Sequence, residues 1–202
     1  MFDKRIEVQE IKRIGIIGSG NVATNLTVKF KNSGIEVAQV FTRNRKSLNT
    51  FITGCQPSVI TDIKLFDSSL DLIIIATPDD SIEQIAKEIL TKIPVVHTSG
   101  SVAIANLKNR SNYGSFYPLQ TLTTDHAGKS IPIPILIEAS NPTFEAKLIK
   151  LAETISTMVS VHSSENRKKL HLAAVVVNNF TNHLYSEAEQ YCIESGISFN
   201  LL

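Results

Sequence analysis

The chain has 202 residues, with 20 lysines and arginines against 19 aspartates and glutamates, a net charge of +1. That balance gives no electrostatic ground for a nucleic-acid or membrane-surface partner, and 43% apolar residues are enough to bury a core and exclude general disorder. The isolated cysteines, Cys55 and Cys192, exclude a disulfide scaffold or a structural zinc site as the organising device.

In chain order, Arg13–Gly18 is a short apolar run ending in glycine, the mark of a buried strand. Asn21–Asn32 carries Val22, Leu26 and Phe30 on one helical face, and Gly34 stands where a helix stops. Ile35–Phe41 reads as a second strand, 46–53 as a weak short helix and Asp71–Ala76 as the clearest buried strand. Ile82, Ile85, Ala86, Ile89 and Leu90 mark the next helix, with Asp80 or Ser81 as N-cap. Pro94–Thr98 is a strand, and Ala103–Lys108 a helical turn or two. The two prolines of Ile131–Ile137 place that strand at a sheet edge. Phe144, Leu148, Leu151, Ala152 and Ile155 form another helical face, and Met158–Val161 a last short strand. Strands alternating with helices predict an α/β fold with a doubly wound, mostly parallel Rossmann-type sheet.

After Ser163 the pattern changes. Residues 165–194 carry neither proline nor glycine and as one helix would be about 45 Å long. Its apolar arc runs Ala173, Val177, Phe180, Leu184, Ala188, Tyr191. The expected division is a nucleotide-binding domain over 1–162 and the start of an all-helical domain over 163–202. The arc needs a cover, expected from a second copy in a homodimer or from residues beyond Leu202. The charged N-terminus is not followed by an apolar segment, and no apolar run approaches ~20 residues. A cytoplasmic protein without a membrane partner is expected.

Gly18-Ser19-Gly20-Asn21-Val22-Ala23 is a G-x-G-x-x-A loop between the first strand and the first helix. Gly18 permits the tight turn, Gly20 the approach of a pyrophosphate, and Ala23 close helix–strand packing. The bland alternative is a glycine turn that binds nothing. The second strand ends Thr42-Arg43-Asn44-Arg45 rather than in the carboxylate that would read a ribose 2′-hydroxyl. A guanidinium fork suits a 2′-phosphate, so the expected cofactor is NADP. Ala76-Thr77-Pro78 and the loop after His97, with Ser99, fall at the carboxyl edge of the strands, where ligands lie in such sheets.

Together IGIIGSGNVA, TRNR, ATPD and HTSG resemble the NADP-binding domain of the 6-phosphogluconate-dehydrogenase-like superfamily, to which pyrroline-5-carboxylate reductase, ketopantoate reductase and 3-hydroxyisobutyrate dehydrogenase belong. Residues 116–121 (FYPLQT) and 171–183 (HLAAVVVNNFTNH) are similar to a branch that couples a Rossmann-like domain to a helical C-terminal domain. The resemblance implies a fold and NADP, and names no substrate. Several relatives carry Lys-x-x-x-Asn on the long helix. This chain departs from that pattern, since Leu172 and Ala173 follow Lys168 and Lys169 by four residues. A polar stripe of His171, Asn178, Asn182, Tyr185 and Glu189 lies instead within roughly ±40° of one helical line.

The favoured expectation is an NADP-dependent oxidoreductase acting on a small carbonyl or imine, with His171 handling the proton and Asn178 holding a substrate oxygen. The alternatives are a non-catalytic NADP sensor and, disfavoured by the missing acidic strand end, a methyltransferase. His97, His126 and His162 lack metal-ligand spacing, so no metal is expected. Cys55 has no cationic neighbour in the sequence that would make it reactive.

Overall fold

A computed structural model describes residues 10–43, 57–123 and 131–202. The strands are β1 (Arg13–Ile17), β2 (Glu36–Phe41), β3 (Ser58–Ile60), β4 (Leu72–Ile75), β5 (Val95–His97), β6 (Tyr113–Pro118), β7 (Ile135–Ala139) and β8 (Val159–Val161). The helices are α1 (Asn21–Asn32), α2 (Ile82–Glu88), α3 (Pro142–Glu153), α4 (Ser164–Val175) and α5 (Thr181–Glu194). A π-helical segment, Val176–Phe180, joins α4 to α5.

The eight strands make one sheet in the order β3-β2-β1-β4-β5-β6-β7-β8. Strands β1 to β6 are parallel, β7 runs antiparallel to β6, and β8 is parallel to β7. The first six follow the doubly wound dinucleotide-binding order, with its reversal between β1 and β4. Strand β4 shows why the sheet is covered on both faces. All four of its residues are fully buried. Leu72 and Ile74 join the core under α1 and α3, whereas Ile73 and Ile75 join the core under α2, as the two-residue period of a strand requires.

Three expectations change. Ile131–Ile137 is not an edge strand: the strand starts at Ile135, after both prolines, and pairs with β6 and β8. Pro132 and Pro134 thus precede the ladder, where a missing N–H costs nothing; the edge falls to β8. Strands β3 and β6 were not legible as strands; Tyr113–Pro118 (YGSFYP) holds both a glycine and a proline. Neither Asp80 nor Ser81 caps α2 with its side chain. A 3-10 turn, Asp79–Ser81, leads into the helix, and the Ser81 hydroxyl donates to the Pro78 carbonyl and to Thr77 Oγ1. The helix expected over 46–53, with Asn44, Arg45, Cys55 and His126, lies outside the described residues.

The long helix is present as α4, the π-helical segment and α5 in continuous succession. Ser163 caps it, accepting a hydrogen bond from the Asn166 amide. Arg167 is fully buried and ties it to the sheet. Its guanidinium pairs with Glu138 on β7 and donates to the Val102 carbonyl at 2.5 Å. Ser164 Oγ also donates to Glu138, at 2.6 Å. Beyond that anchor the apolar arc is open: Val177, Phe180, Leu184 and Tyr191 are exposed. No helix among the described residues is long and apolar enough to cross a membrane.

Candidate active site

The carboxyl ends of β1, β2 and β4 frame a cleft of about 470 Å³ lined by Gly18, Ser19, Gly20, Thr42, Arg43, Ala76, Thr77 and Pro78. Local chemistry builds it. The Gly18 amide donates to the Phe41 carbonyl, and the Ala76 amide to the Ile17 carbonyl, each at 2.8 Å. Gly18 has φ +121°, and a Cβ there would come 2.2 Å from the Ala76 carbonyl oxygen, so the turn admits glycine alone. Gly20 differs: among the described residues, no atom beyond its own chain neighbours lies within 4 Å of where its Cβ would be. Packing among the described residues does not account for that glycine, whereas a ligand lying against the backbone would. Gly20 is also the N-cap of α1; it brings no side chain to the free amides, and the first turn carries no acidic residue. Donors and helix dipole are therefore available to an anion.

Ala23 is fully buried in the core, Val22 packs beside it and Asn21 is exposed; these three supply the backbone of the first turn. Ser19 Oγ and Thr42 Oγ1 are 2.8 Å apart, closing β1 onto β2. Arg43 is exposed at the rim, where its guanidinium can reach a phosphate. Ser99 follows β5 at the carboxyl edge. It is buried, and its hydroxyl accepts from the Ser101 and Val102 amides at 3.1 and 3.0 Å, so it shapes the loop rather than lining the cleft.

A second pocket, about 350 Å³, lies between β6 and the long helix. It brings His171 and Asn178 together with Tyr117, Gln120, Thr121, Ala174 and Val175. His171 Nδ1 is 2.8 Å from the Tyr117 hydroxyl, with the rings edge to face at 5.8 Å. Asn178 donates to Thr121 Oγ1. The imidazole rests on Gly100, where a Cβ would come 2.6 Å from its Cγ. The same loop, 97–101, is tied to the segment after β4 through Ser101, whose hydroxyl donates to Asp79. The polar stripe ends at Asn178: Asn182, Tyr185 and Glu189 are exposed and outside the pocket, because the π-helical turn breaks the 100° phase on which the stripe depends.

Burial is the chief electrostatic influence here. It pushes the Tyr117 phenol above its usual value; Asp79 adds to that and Arg167 opposes it. His97, fully buried at the end of β5, is held down to about 3, by burial first and then by the Arg167 charge, with Asp79 opposing. Its Nδ1 accepts from the Ser99 amide at 3.1 Å, so the ring is a neutral Nε2–H imidazole. Among the described residues no cluster of three or more metal-ligating side chains occurs. Sequence reading missed Tyr117 as a site residue, although it lies in the FYPLQT segment, because β6 was not recognised beside β5. It also missed Arg167, hidden in a charged helix start.

Fold order and cleft define a Rossmann-type dinucleotide-binding domain. The family described as "NADP oxidoreductase coenzyme F420-dependent" matches residues 13–99, and "Domain of unknown function (DUF2520)" matches residues 133–202. No curated protein matches the chain. A Bacteroides fragilis protein assigned as an NADP oxidoreductase is 31% identical, over 96% of this chain and 77% of its own, with a TM-score of 0.87. The chain belongs to the family of that protein. The fold also recurs in a Thermotoga maritima protein, at 21% identity, TM-score 0.69, and coverage of 92% and 71%. Pyrroline-5-carboxylate reductase from Coxiella burnetii shares it at 17% identity, TM-score 0.70, and coverage of 94% and 73%.

Proposed function

We propose that this protein is an NADP-dependent oxidoreductase that acts on a small carbonyl or imine compound. The observation that carries the reading is the pair of glycines in the first loop. Gly18 is required by the turn, whereas Gly20 leaves space that none of the described residues uses, beside the uncapped start of α1. That cradle fits a pyrophosphate held by the Asn21, Val22 and Ala23 amides. Arg43, and Asn44 after it, would meet the 2′-phosphate; Thr42 closes the adenosine side and Ala76, Thr77 and Pro78 the far side. When bound, the nicotinamide supplies or accepts the hydride. The protein's own residues do the rest. The loop that carries Ser99 backs the His171 ring through Gly100. His171 exchanges a proton with the substrate oxygen or nitrogen, and Asn178 donates a hydrogen bond that fixes the same group. The exposed apolar face of α5 supports a homodimer as the working assembly.

The test is a titration of NADPH, NADH and the deazaflavin coenzyme F420 against the protein and its Arg43→Ala variant, read by calorimetry. NADPH should bind at least tenfold tighter than NADH. Arg43→Ala should lose about 1.5–3 kcal/mol for NADPH alone, the worth of a charge-assisted contact, or roughly ten- to a hundredfold in Kd. Equal affinity for the two nicotinamides, or tight binding of F420 alone, would overturn the NADP reading.

A further inference from the structure

The contact between Tyr117 and His171 fixes more than the position of a ring. We propose that Tyr117 is a positioning residue that holds His171 as its neutral Nε2–H tautomer, so that His171 meets the substrate as a donor. The role rests on the reading of the second pocket as the substrate site.

The argument is one of matching donors to acceptors. A phenol has one proton to give, and an imidazole nitrogen either carries a proton or accepts one. Burial and the Asp79 charge keep the Tyr117 phenol protonated through the neutral range, with Arg167 opposing. Its hydroxyl lies 2.8 Å from His171 Nδ1, and it bonds to no other side chain or carbonyl among the described residues. If Nδ1 carried the proton it would donate to the phenol oxygen, and the phenol proton would turn away from the ring, where no protein acceptor stands among the described residues, so that one hydrogen bond would be lost. The hydroxyl therefore donates to Nδ1, and the ring's only proton sits on Nε2. Gly100 lets the ring come this close to the loop. The imidazole lies so close to its backbone that a Cβ would come 2.6 to 2.8 Å from Cγ, Nδ1 and Cβ of His171. Hydrogen bonding by one ring nitrogen selecting the state of the other is the general way such tautomers are set. A donor at Nε2 suits reduction: the substrate atom that gains negative character accepts first a hydrogen bond from Nε2–H and then its proton, and one proton taken from solvent restores Nε2, so that product and imidazole both end neutral and the phenol keeps its own proton.

Imidazole nitrogen-15 spectra of the full chain at pH 8 test this, with His171→Gln identifying the His171 signals among the five histidines. The wild-type protein should show His171 protonated at Nε2 and bare at Nδ1. Tyr117→Phe keeps the ring and removes the hydroxyl, and should return His171 to a mixture of the two tautomers; an unchanged amide spectrum elsewhere shows that the fold survives. A wild-type His171 protonated at Nδ1 overturns the proposal even if the variant does not fold. A tautomer unchanged in a folded Tyr117→Phe overturns it as well. NADPH affinity is measured on the same samples: its absence defeats the oxidoreductase reading, while the tautomer result stands apart from it.

Discussion

Replacing His97 with asparagine should flatten the acid side of the stability curve. The imidazole is fully buried, so its charged form is disfavoured by burial and then by Arg167, and its folded-state value falls to about 3. Unfolded, it returns to about 6.5. Between those values the unfolded chain holds a proton that the folded chain does not, so this group removes stability as pH falls through 6.5 and continues to do so down to about 3. From pH 7.5 to 5.5 the loss is about 1.4 kcal/mol by proton linkage. It barely depends on the lower value, because at pH 5.5 the buried ring is neutral in either case. Asparagine keeps an acceptor where Nδ1 receives the Ser99 amide and does not titrate. Urea unfolding of both proteins at the two pH values is the assay. With a slope of roughly 2 kcal/mol/M, the wild-type midpoint should drop by about 0.7 M more than that of His97→Asn. Parallel shifts in the two proteins would refute the reasoning, whatever their absolute stabilities.

The two loop glycines should separate stability from binding. Gly18→Ala should lower the melting temperature sharply, as its Cβ meets the Ala76 carbonyl in a left-handed backbone. Gly20→Ala should cost less than about 1 kcal/mol in folding yet lose at least tenfold in NADPH affinity by calorimetry. Arg167→Ala should destabilise by about 3–5 kcal/mol in urea unfolding, since it leaves Glu138 with a broken, largely buried pair. Light scattering should find the protein dimeric, and Phe180→Glu with Leu184→Glu should yield monomers; a monomeric wild-type protein with the same face open would refute the assembly.

What could be read from the residues was local. Leu72–Ile75 is apolar at every position because both faces of β4 are covered, and the G-x-G-x-x-A loop carries its strand and helix with it. What could not be read depended on which strands become neighbours. Tyr113–Pro118 gives a poor strand pattern, yet its place beside β5 is what sets Tyr117 against His171. Arg167 stands in the run Ser164–Lys169, where five of six side chains face water or half face it; only its helical phase towards Glu138 singles it out. The polar stripe was correct for two turns and then failed, because sequence spacing carries no sign of a π-helical turn.

That turn has a consequence for how the chain can vary. The helix walls the second pocket with residues from 171 to 179 and none after, and then presents Phe180, Leu184 and Tyr191 outward. One additional residue in the turn rotates everything downstream by about 100°. The two surfaces are therefore not registered to each other by one continuous heptad-like pattern, and substitutions that reshape the outward face leave the inward one in place. A single helix can in this way carry two independent sets of contacts, each free to change at its own rate.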